Sequence, residues 1–229
     1  MRDFQVITFD CYGTLIDWES GIRDAFLRAA QEDGVAIDPS GIIPAYSEVE
    51  PVVEQESYRR YRGVLTESAV RTARRLGWEL SLQRASFLAG SLPSWPSFAD
   101  TNRALEKLRA AGYRLGILSN VDDDLLEATR RHFTVELDLV ITAQQVGSYK
   151  PAAAHFSAAR KRIGGKRWLH AAASNFHDIV PANALGLPTA WINRTRSMPL
   201  PGGQPSYEYP DLASFAEAMT RSEPPDDAP

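Results

Sequence analysis

Four polar clusters each follow a run of apolar and β-branched residues: Asp10-Cys-Tyr-Gly-Thr-Leu15, Ser119-Asn120, Lys150-Pro151 and Ser174-Asn-Phe-His-Asp178. Aspartate, lysine, hydroxyls and amides are the groups that nucleophilic and acid–base chemistry uses. A carboxylate attacks only when ionised, and an ammonium beside it favours that form, so Asp10 and Lys150 form a plausible nucleophile and counter-ion. Thr14 and Ser119 have hydroxyls to hold carboxylate oxygens, and Asp178 with Asn175 offers groups that orient or activate water. Each cluster also has a purely structural reading: a turn at Asp10 to Thr14, a helix cap at Ser119-Asn120, a solvated lysine at 150. Their order, each after a strand-like run or in the loop that follows one, favours the chemical reading, because open α/β sheets bind ligands beyond the carboxyl ends of their strands.

The elements that must position these residues follow from periodicity. Strand-like runs cover Gln5 to Phe9, Tyr113 to Leu118, Leu137 to Ile141, Trp168 to Ala173 and Pro188 to Ile192, and helical patterns cover Asp100 to Ala111, Asp122 to His132, Pro151 to Ile163 and Ile179 to Leu185. Alternation of this kind implies an α/β fold with a parallel, doubly wound, Rossmann-like sheet. Between Asp17 and Leu92 the rhythm changes to helices only, roughly Gly21 to Ala30, Ile42 to Gln55, Tyr58 to Leu76 and Leu82 to Ala89. The expected organisation is a core of residues 1–16 and 93–221, an inserted helical cap of 17–92, and a proline-rich, acidic tail of 222–229 expected to be disordered.

Composition narrows the function classes. The chain has 229 residues, 44% of them apolar, a formal net charge of -4 and one cysteine. A slightly acidic chain with scattered arginines is a poor partner for nucleic acid, so a small-molecule substrate is expected. One cysteine excludes an intramolecular disulfide and a cysteine-rich zinc site. The start MRDFQVITFD has no signal-like pattern and no run approaches a membrane span, so the chain reads as cytoplasmic with no membrane partner.

Taken together, Asp10-x-Tyr12-Gly13-Thr14-Leu15, Leu118-Ser119-Asn120, Tyr149-Lys150-Pro151, Ser174-Asn175-x-x-Asp178 and Pro188-Thr-Ala-Trp-Ile-Asn-Arg194 resemble the haloacid dehalogenase superfamily, and within it the 2-haloacid dehalogenases. That resemblance implies SN2 attack by Asp10 on the α-carbon of a small 2-substituted carboxylic acid, and an aspartyl ester that water then hydrolyses. It assigns catalytic roles to Asp10, Thr14, Ser119, Lys150, Asn175 and Asp178, and substrate-binding roles to Cys11, Tyr12, Asn120 and His177. It implies no cofactor and no metal, and it makes a homodimer an expectation. Strand alternation turns the Cys11 side chain away from its neighbour, which suits a small buried hydrophobe. His177 either lines the pocket, moves a proton or fills space, while His132, His155 and His170 are expected in packing or surface roles.

Departures from the family pattern bear on the substrate. Phosphatases of the superfamily carry a second aspartate two residues past the nucleophile, where this chain has Tyr12. A phenol of pKa ~10 is a poor proton donor to an alkoxide, whereas a halide needs no proton, so Tyr12 favours carbon chemistry over an Mg²⁺-dependent phosphatase. Residues 16–92 contain no lysine, against a Schiff-base route. Dehalogenases place a halide-binding arginine in the insertion, yet Pro39 to Tyr58 holds no basic residue and instead Glu48, Glu50, Glu54 and Glu56. Either those glutamates face solvent while Arg59, Arg60 or Arg62 supplies the cation, or the pocket takes another leaving group, such as the amine of a strained cyclic amino acid like azetidine-2-carboxylate. Ala173 and Phe156 each lack a hydroxyl that the family pattern has. A catalytically silent binding protein is the alternative from a different class.

Overall fold

The computed structural model describes residues 4–221, so the expected disordered tail at 222–229 lies outside the described residues. Six parallel strands, β1 (Val6–Phe9), β2 (Arg114–Ser119), β3 (Leu139–Thr142), β4 (Trp168–Ala172), β5 (Thr189–Ile192) and β6 (Tyr207–Tyr209), form one sheet in the order β3-β2-β1-β4-β5-β6. The helices are α1 (Trp18–Glu32), α2 (Pro39–Glu54), α3 (Tyr61–Arg75), α4 (Leu82–Ala85), α5 (Phe87–Ser91), α6 (Thr101–Ala110), α7 (Asp123–Arg130), α8 (Ala143–Val146), α9 (Ala154–Ile163), α10 (Val180–Ala184) and α11 (Leu212–Thr220).

Strand alternation sends side chains to two faces, and helices cover both. Ile7, Phe9, Leu115, Ile117, Leu169 and Ala171 join Leu105, Leu108, Leu212 and Phe215 of α6 and α11 in one cluster. Val6, Leu139, Ile141 and Trp168 join Phe156, Ala159 and Ile163 of α9 on the other. The five strands expected from the sequence are present within two residues at each end, and the doubly wound fold holds. β6 and α11 were not anticipated. α9 starts at Ala154, three residues past the expected Pro151, and the expected helix of Leu82 to Ala89 is broken into α4 and α5.

The strand order fixes where chemistry happens. From β1 the chain builds β2 and β3 on one side, then crosses to β4, β5 and β6 on the other, so the loops part beyond the carboxyl end of β1. Asp10 is the next residue after that end. Helices α1 to α5 pack on one another and share the apolar cluster of the first sheet face. α2 starts at Pro39 because Asp38 accepts a hydrogen bond from the Ser40 N–H at 2.9 Å and proline fits the first helical position. α3 is capped from afar: the Asp122 carboxylate, 1% exposed, accepts from the N–H groups of Tyr61 at 3.0 Å and Arg62 at 2.9 Å. Among the described residues, no helix is long and apolar enough to cross a membrane.

Candidate active site

Asp10 sits at the mouth of a tight turn. The N–H groups of Leu15 and Ile16 both bond to the Cys11 carbonyl, and the Gly13 N–H bonds to the Ile16 carbonyl. Gly13 has φ +96°, a conformation that a side chain strains, and a Cβ there would lie 3.2 Å from the Trp18 indole nitrogen. The turn brings the Thr14 hydroxyl to Asp10 Oδ2 at 3.0 Å, while the Ala173 N–H donates to Thr14 Oγ1 at 2.9 Å, tying the turn to the end of β4.

Lys150 is the hub. Its Nζ donates to Asp10 Oδ1 at 2.8 Å, to Asp178 Oδ1 at 2.7 Å and to the Leu118 carbonyl at 2.9 Å, so all three ammonium protons are engaged. Its side chain is 1% exposed. Burial works to lower the Lys150 pKa, but the two carboxylates outweigh it and the ammonium titrates well above the ordinary lysine range. Burial works to raise Asp178, yet Lys150 and His170 hold it well below the usual carboxylate range. Asp10 is raised, first by burial and then by the Asp178 charge, with the Lys150 contact opposing both.

A second layer fixes these groups. Asn120 and Lys150 exchange backbone contacts: the Lys150 N–H donates to Asn120 Oδ1 at 2.7 Å, and Asn120 Nδ2 donates to the Lys150 carbonyl at 3.0 Å. Thr8 and His170 are register partners on neighbouring strands, with Thr8 Oγ1 2.8 Å from His170 Nδ1. Trp168 Nε1 donates to Thr8 Oγ1 at 2.7 Å, and His170 donates from Nε2 to the Asp178 Oδ1 carboxylate oxygen, 2.9 Å away. His170 is therefore a positioning residue for Asp178, a role that its expected packing did not include. The Phe156 ring, edge-on at 5.2 Å, walls that histidine. His155 donates to the Ser119 carbonyl at 3.1 Å and is held neutral, its pKa lowered to about 4 by burial and by Lys150.

A cavity of about 630 Å³ opens beside Asp10, walled by Tyr12, Ser119, Asn120, Lys150, His177 and Asp178 from the sheet side and by Trp18, Arg23, Glu50 and Glu54 from the inserted helices. Four polar atoms of residues in its wall, Tyr46 Oη, Ser119 Oγ, Asp178 Oδ2 and Arg194 Nε, are buried with no hydrogen-bond partner among the described residues. Leaving such groups unpaired is costly, and a substrate or water in the cavity would relieve that cost.

A family model for haloacid dehalogenase-like hydrolases matches residues 4–173. The chain belongs to that family. It is 32% identical to an (S)-2-haloacid dehalogenase of Pseudomonas putida over 200 residues, covering 85% of this chain and 86% of the relative. It is 27% identical to (S)-2-haloacid dehalogenase 4A of Burkholderia cepacia over 219 residues, covering 93% and 90%. The crystal structure of L-2-haloacid dehalogenase from Xanthobacter autotrophicus shares the fold with a TM-score of 0.80 at 20% identity, covering 94% of this chain and 98% of that one. The protein is thus a haloacid dehalogenase-like hydrolase with a Rossmann-type sheet.

Within this dehalogenase-like frame, the geometry brings Asp10, Thr14, Ser119, Lys150 and Asp178 together and corrects other expectations. Asn175 is not part of the cavity wall: its Oδ1 accepts from the Leu200 N–H at 3.1 Å and its Nδ2 donates to the Gly203 carbonyl at 2.8 Å, so it anchors the loop before β6. Cys11 is fully buried in the core and does not reach the cavity, because alternation at the strand end turns it inward. Tyr12 lines the cavity, but its hydroxyl is 2.9 Å from Thr129 Oγ1. Asn120 lines it too, with its amide bonded to Lys150 and its Nδ2 also donating to Glu54 Oε1 at 3.4 Å.

The geometry bears on both readings of the missing cation, a replacement from Arg59, Arg60 or Arg62 and a pocket for another leaving group. Arg59 pairs with Glu56, Arg62 pairs with Asp124, Arg60 is exposed, and none of the three lines the cavity. The wall instead holds Arg194, paired with Asp100 at 3.0 Å, and Arg23, one turn into α1. Glu48 and Glu56 do pair outside the cavity, with Arg75 and with Arg59 and Arg71 respectively. Glu50 and Glu54 face inward. Sequence reasoning missed Arg23, five residues past Trp18 on α1, for which spacing offered no signal.

Proposed function

We propose that the protein hydrolyses a small 2-substituted carboxylic acid by SN2 displacement at the α-carbon. Asp10 attacks, the leaving group departs, and water hydrolyses the aspartyl ester. The observation that carries this reading is the contact of one buried ammonium with both carboxylates, Asp10 at 2.8 Å and Asp178 at 2.7 Å, beside a cavity. Lys150 and the Thr14 hydroxyl favour the ionised form of Asp10 and fix both of its oxygens, leaving lone pairs aimed along one approach. Ser119 Oγ and Arg23 are the available partners for the substrate carboxylate. Asp178 Oδ2 is the available acceptor for water; with so low a pKa it orients the water more than it takes its proton. Lys150 then stabilises the ester's oxyanion as it forms. The (S)-2-haloacid dehalogenase relatives, and an L-2-haloacid dehalogenase solved with chloropropionic acid covalently bound, support the same chemistry.

Phosphate chemistry fits these residues poorly. A divalent cation would need Asp10 and Asp178, but one ammonium already bridges them, and the phenol at position 12 is bonded to Thr129. The donor set does not suit Mg²⁺.

The test is a single turnover in heavy-oxygen water with 2-chloropropionate, azetidine-2-carboxylate or p-nitrophenyl phosphate, with and without chelator. The expected result is label in the Asp10 carboxylate with a carboxylic acid substrate, unaffected by chelator. Phosphate release abolished by chelator, with no label from either acid, would overturn the reading.

A further inference from the structure

Hydrolysis of an aspartyl ester needs a group that takes a proton from water, and the residues around Asp10 supply a poor one. Burial works to raise Asp178, but Lys150 and His170 hold it so far below the usual carboxylate range that it keeps no proton it gains. Lys150 has all three ammonium protons engaged. Three other residues of the cavity wall, Ser174, His177 and Glu54, have the chemistry that is missing. Ser174 directly follows Ala173, whose N–H holds the Thr14 hydroxyl that donates to Asp10 Oδ2, and its carbonyl accepts the Asp178 N–H at 3.2 Å. One short turn thus ties Ser174 to both carboxylates. Ser174 Oγ lies 3.1 Å from His177 Nδ1, and His177 Nε2 lies 3.5 Å from Glu54 Oε2. The Phe176 ring, edge-on with its centre 4.9 Å away, packs on the imidazole. Glu54 is held in turn: its side chain is only 6% exposed, and its Oε1 accepts from Asn120 Nδ2 at 3.4 Å. A carboxylate can only accept, so a neutral His177 keeps its proton on Nε2 and offers Nδ1 to the Ser174 hydroxyl.

We propose that Ser174, His177 and Glu54 form a proton relay that deprotonates the water attacking the aspartyl ester. The proposal rests on Asp10 as nucleophile. The water oxygen forms a bond to Asp10 Cγ while one water proton passes to Ser174 Oγ and the Ser174 proton passes to His177 Nδ1. The bond from Cγ to the ester oxygen then breaks, the electron pair stays on that oxygen, and it takes the second water proton. The products are the Asp10 carboxylate, a 2-hydroxy acid and a His177 imidazolium, whose side chain is 25% exposed and returns the proton to solvent. Asp178 orients the water, and Glu54 is a positioning residue that fixes the tautomer of the ring and stabilises the imidazolium as it forms. Burial works to lower the His177 pKa, but the bond and charge of Glu54 raise it, with Asp178 beside it in the chain and Glu50 on α2 adding their charges. A base raised from 6.5 in this way is matched to work near neutral pH.

The experiment follows formation and decay of the Asp10 ester by rapid-quench mass spectrometry with 2-chloropropionate, in the native protein and in Ser174→Ala, His177→Ala and Glu54→Gln. In the first two variants the ester is expected to form within ~3-fold of the native rate and then to accumulate, decaying ~100-fold more slowly, since only the second step needs a base. Added imidazole should restore decay in His177→Ala. In the native protein decay should quicken as pH rises through the imidazolium pKa, because only the neutral ring takes a proton. Glu54→Gln removes the neighbouring charge and should move that rise to lower pH, a shift that a merely space-filling His177 would not produce. Equal slowing of both steps, ester decay at the native rate in His177→Ala, no rescue by imidazole, or a pH rise unmoved by Glu54→Gln would overturn the relay. Absence of any ester in native and variant proteins alike would overturn the nucleophile assignment instead, and the relay with it.

Discussion

Replacing Glu50 by glutamine should stabilise the protein, and the gain should depend on pH in a way fixed by the cavity. The carboxyl is half-buried, one helical turn from Glu54, and its pKa rises from the ordinary 4.5 to about 8 on folding. Below pH 4.5 the group is neutral in both states and folding carries no electrostatic cost. As pH rises the unfolded chain ionises first, so stability is lost until the folded group also ionises near pH 8, after which the loss levels off. At ~1.4 kcal/mol for each pH unit between the two values, the full loss is about 5 kcal/mol above pH 8, and about 3 kcal/mol of it is present at pH 7. Glutamine keeps the shape and never ionises, so urea unfolding of native and Glu50→Gln proteins should coincide within ~1 kcal/mol at pH 4.5 and diverge by several kcal/mol at pH 9. A gap that is the same at both pH values, or one favouring the native protein at pH 9, would refute the claim that this carboxyl is held protonated by its surroundings.

Lys150→Met should abolish turnover and leave Asp10 and Asp178 buried without their shared cation, costing about 3–5 kcal/mol at pH 7. That deficit should shrink toward pH 4, where protonation relieves the carboxylates, and thermal unfolding at the two pH values measures it. Asn175→Ala should lower stability by about 1–2 kcal/mol through the lost bonds to Leu200 and Gly203, with kcat changed less than ~3-fold. A hundredfold loss of kcat at unchanged stability would return Asn175 to the chemistry.

Much of the site was legible because its residues lie at or beyond the carboxyl ends of strands, where order along the chain becomes proximity in space. Asp10, Ser119, Lys150 and Asp178 come from four such loops, and a parallel sheet leaves them no other meeting place. The parts that were not legible depend on angle. Asn175 and Asp178 belong to one π-helical turn, 175–179, whose pitch sends the first side chain to the 200–203 loop and the last into the cavity wall. His170 looked like an ordinary strand residue; only its pairing with Thr8 across β1 and β4 reveals a polar track through apolar strands toward Asp178. The arginines at 59, 60 and 62 could not be phased from sequence, because α3 begins at Tyr61 by virtue of a carboxylate some sixty residues away. β6 is three residues long at the sheet edge, too short for alternation to announce it.

That distant carboxylate, Asp122, sits three residues past the end of β2 and holds the first turn of α3 by two charge-assisted bonds. Swinging α3 away from the sheet would strip two amide protons of their acceptor and expose a carboxylate that folding had enclosed. Asp122 thereby ties the inserted helices to the loop after β2 from a position outside the cavity wall.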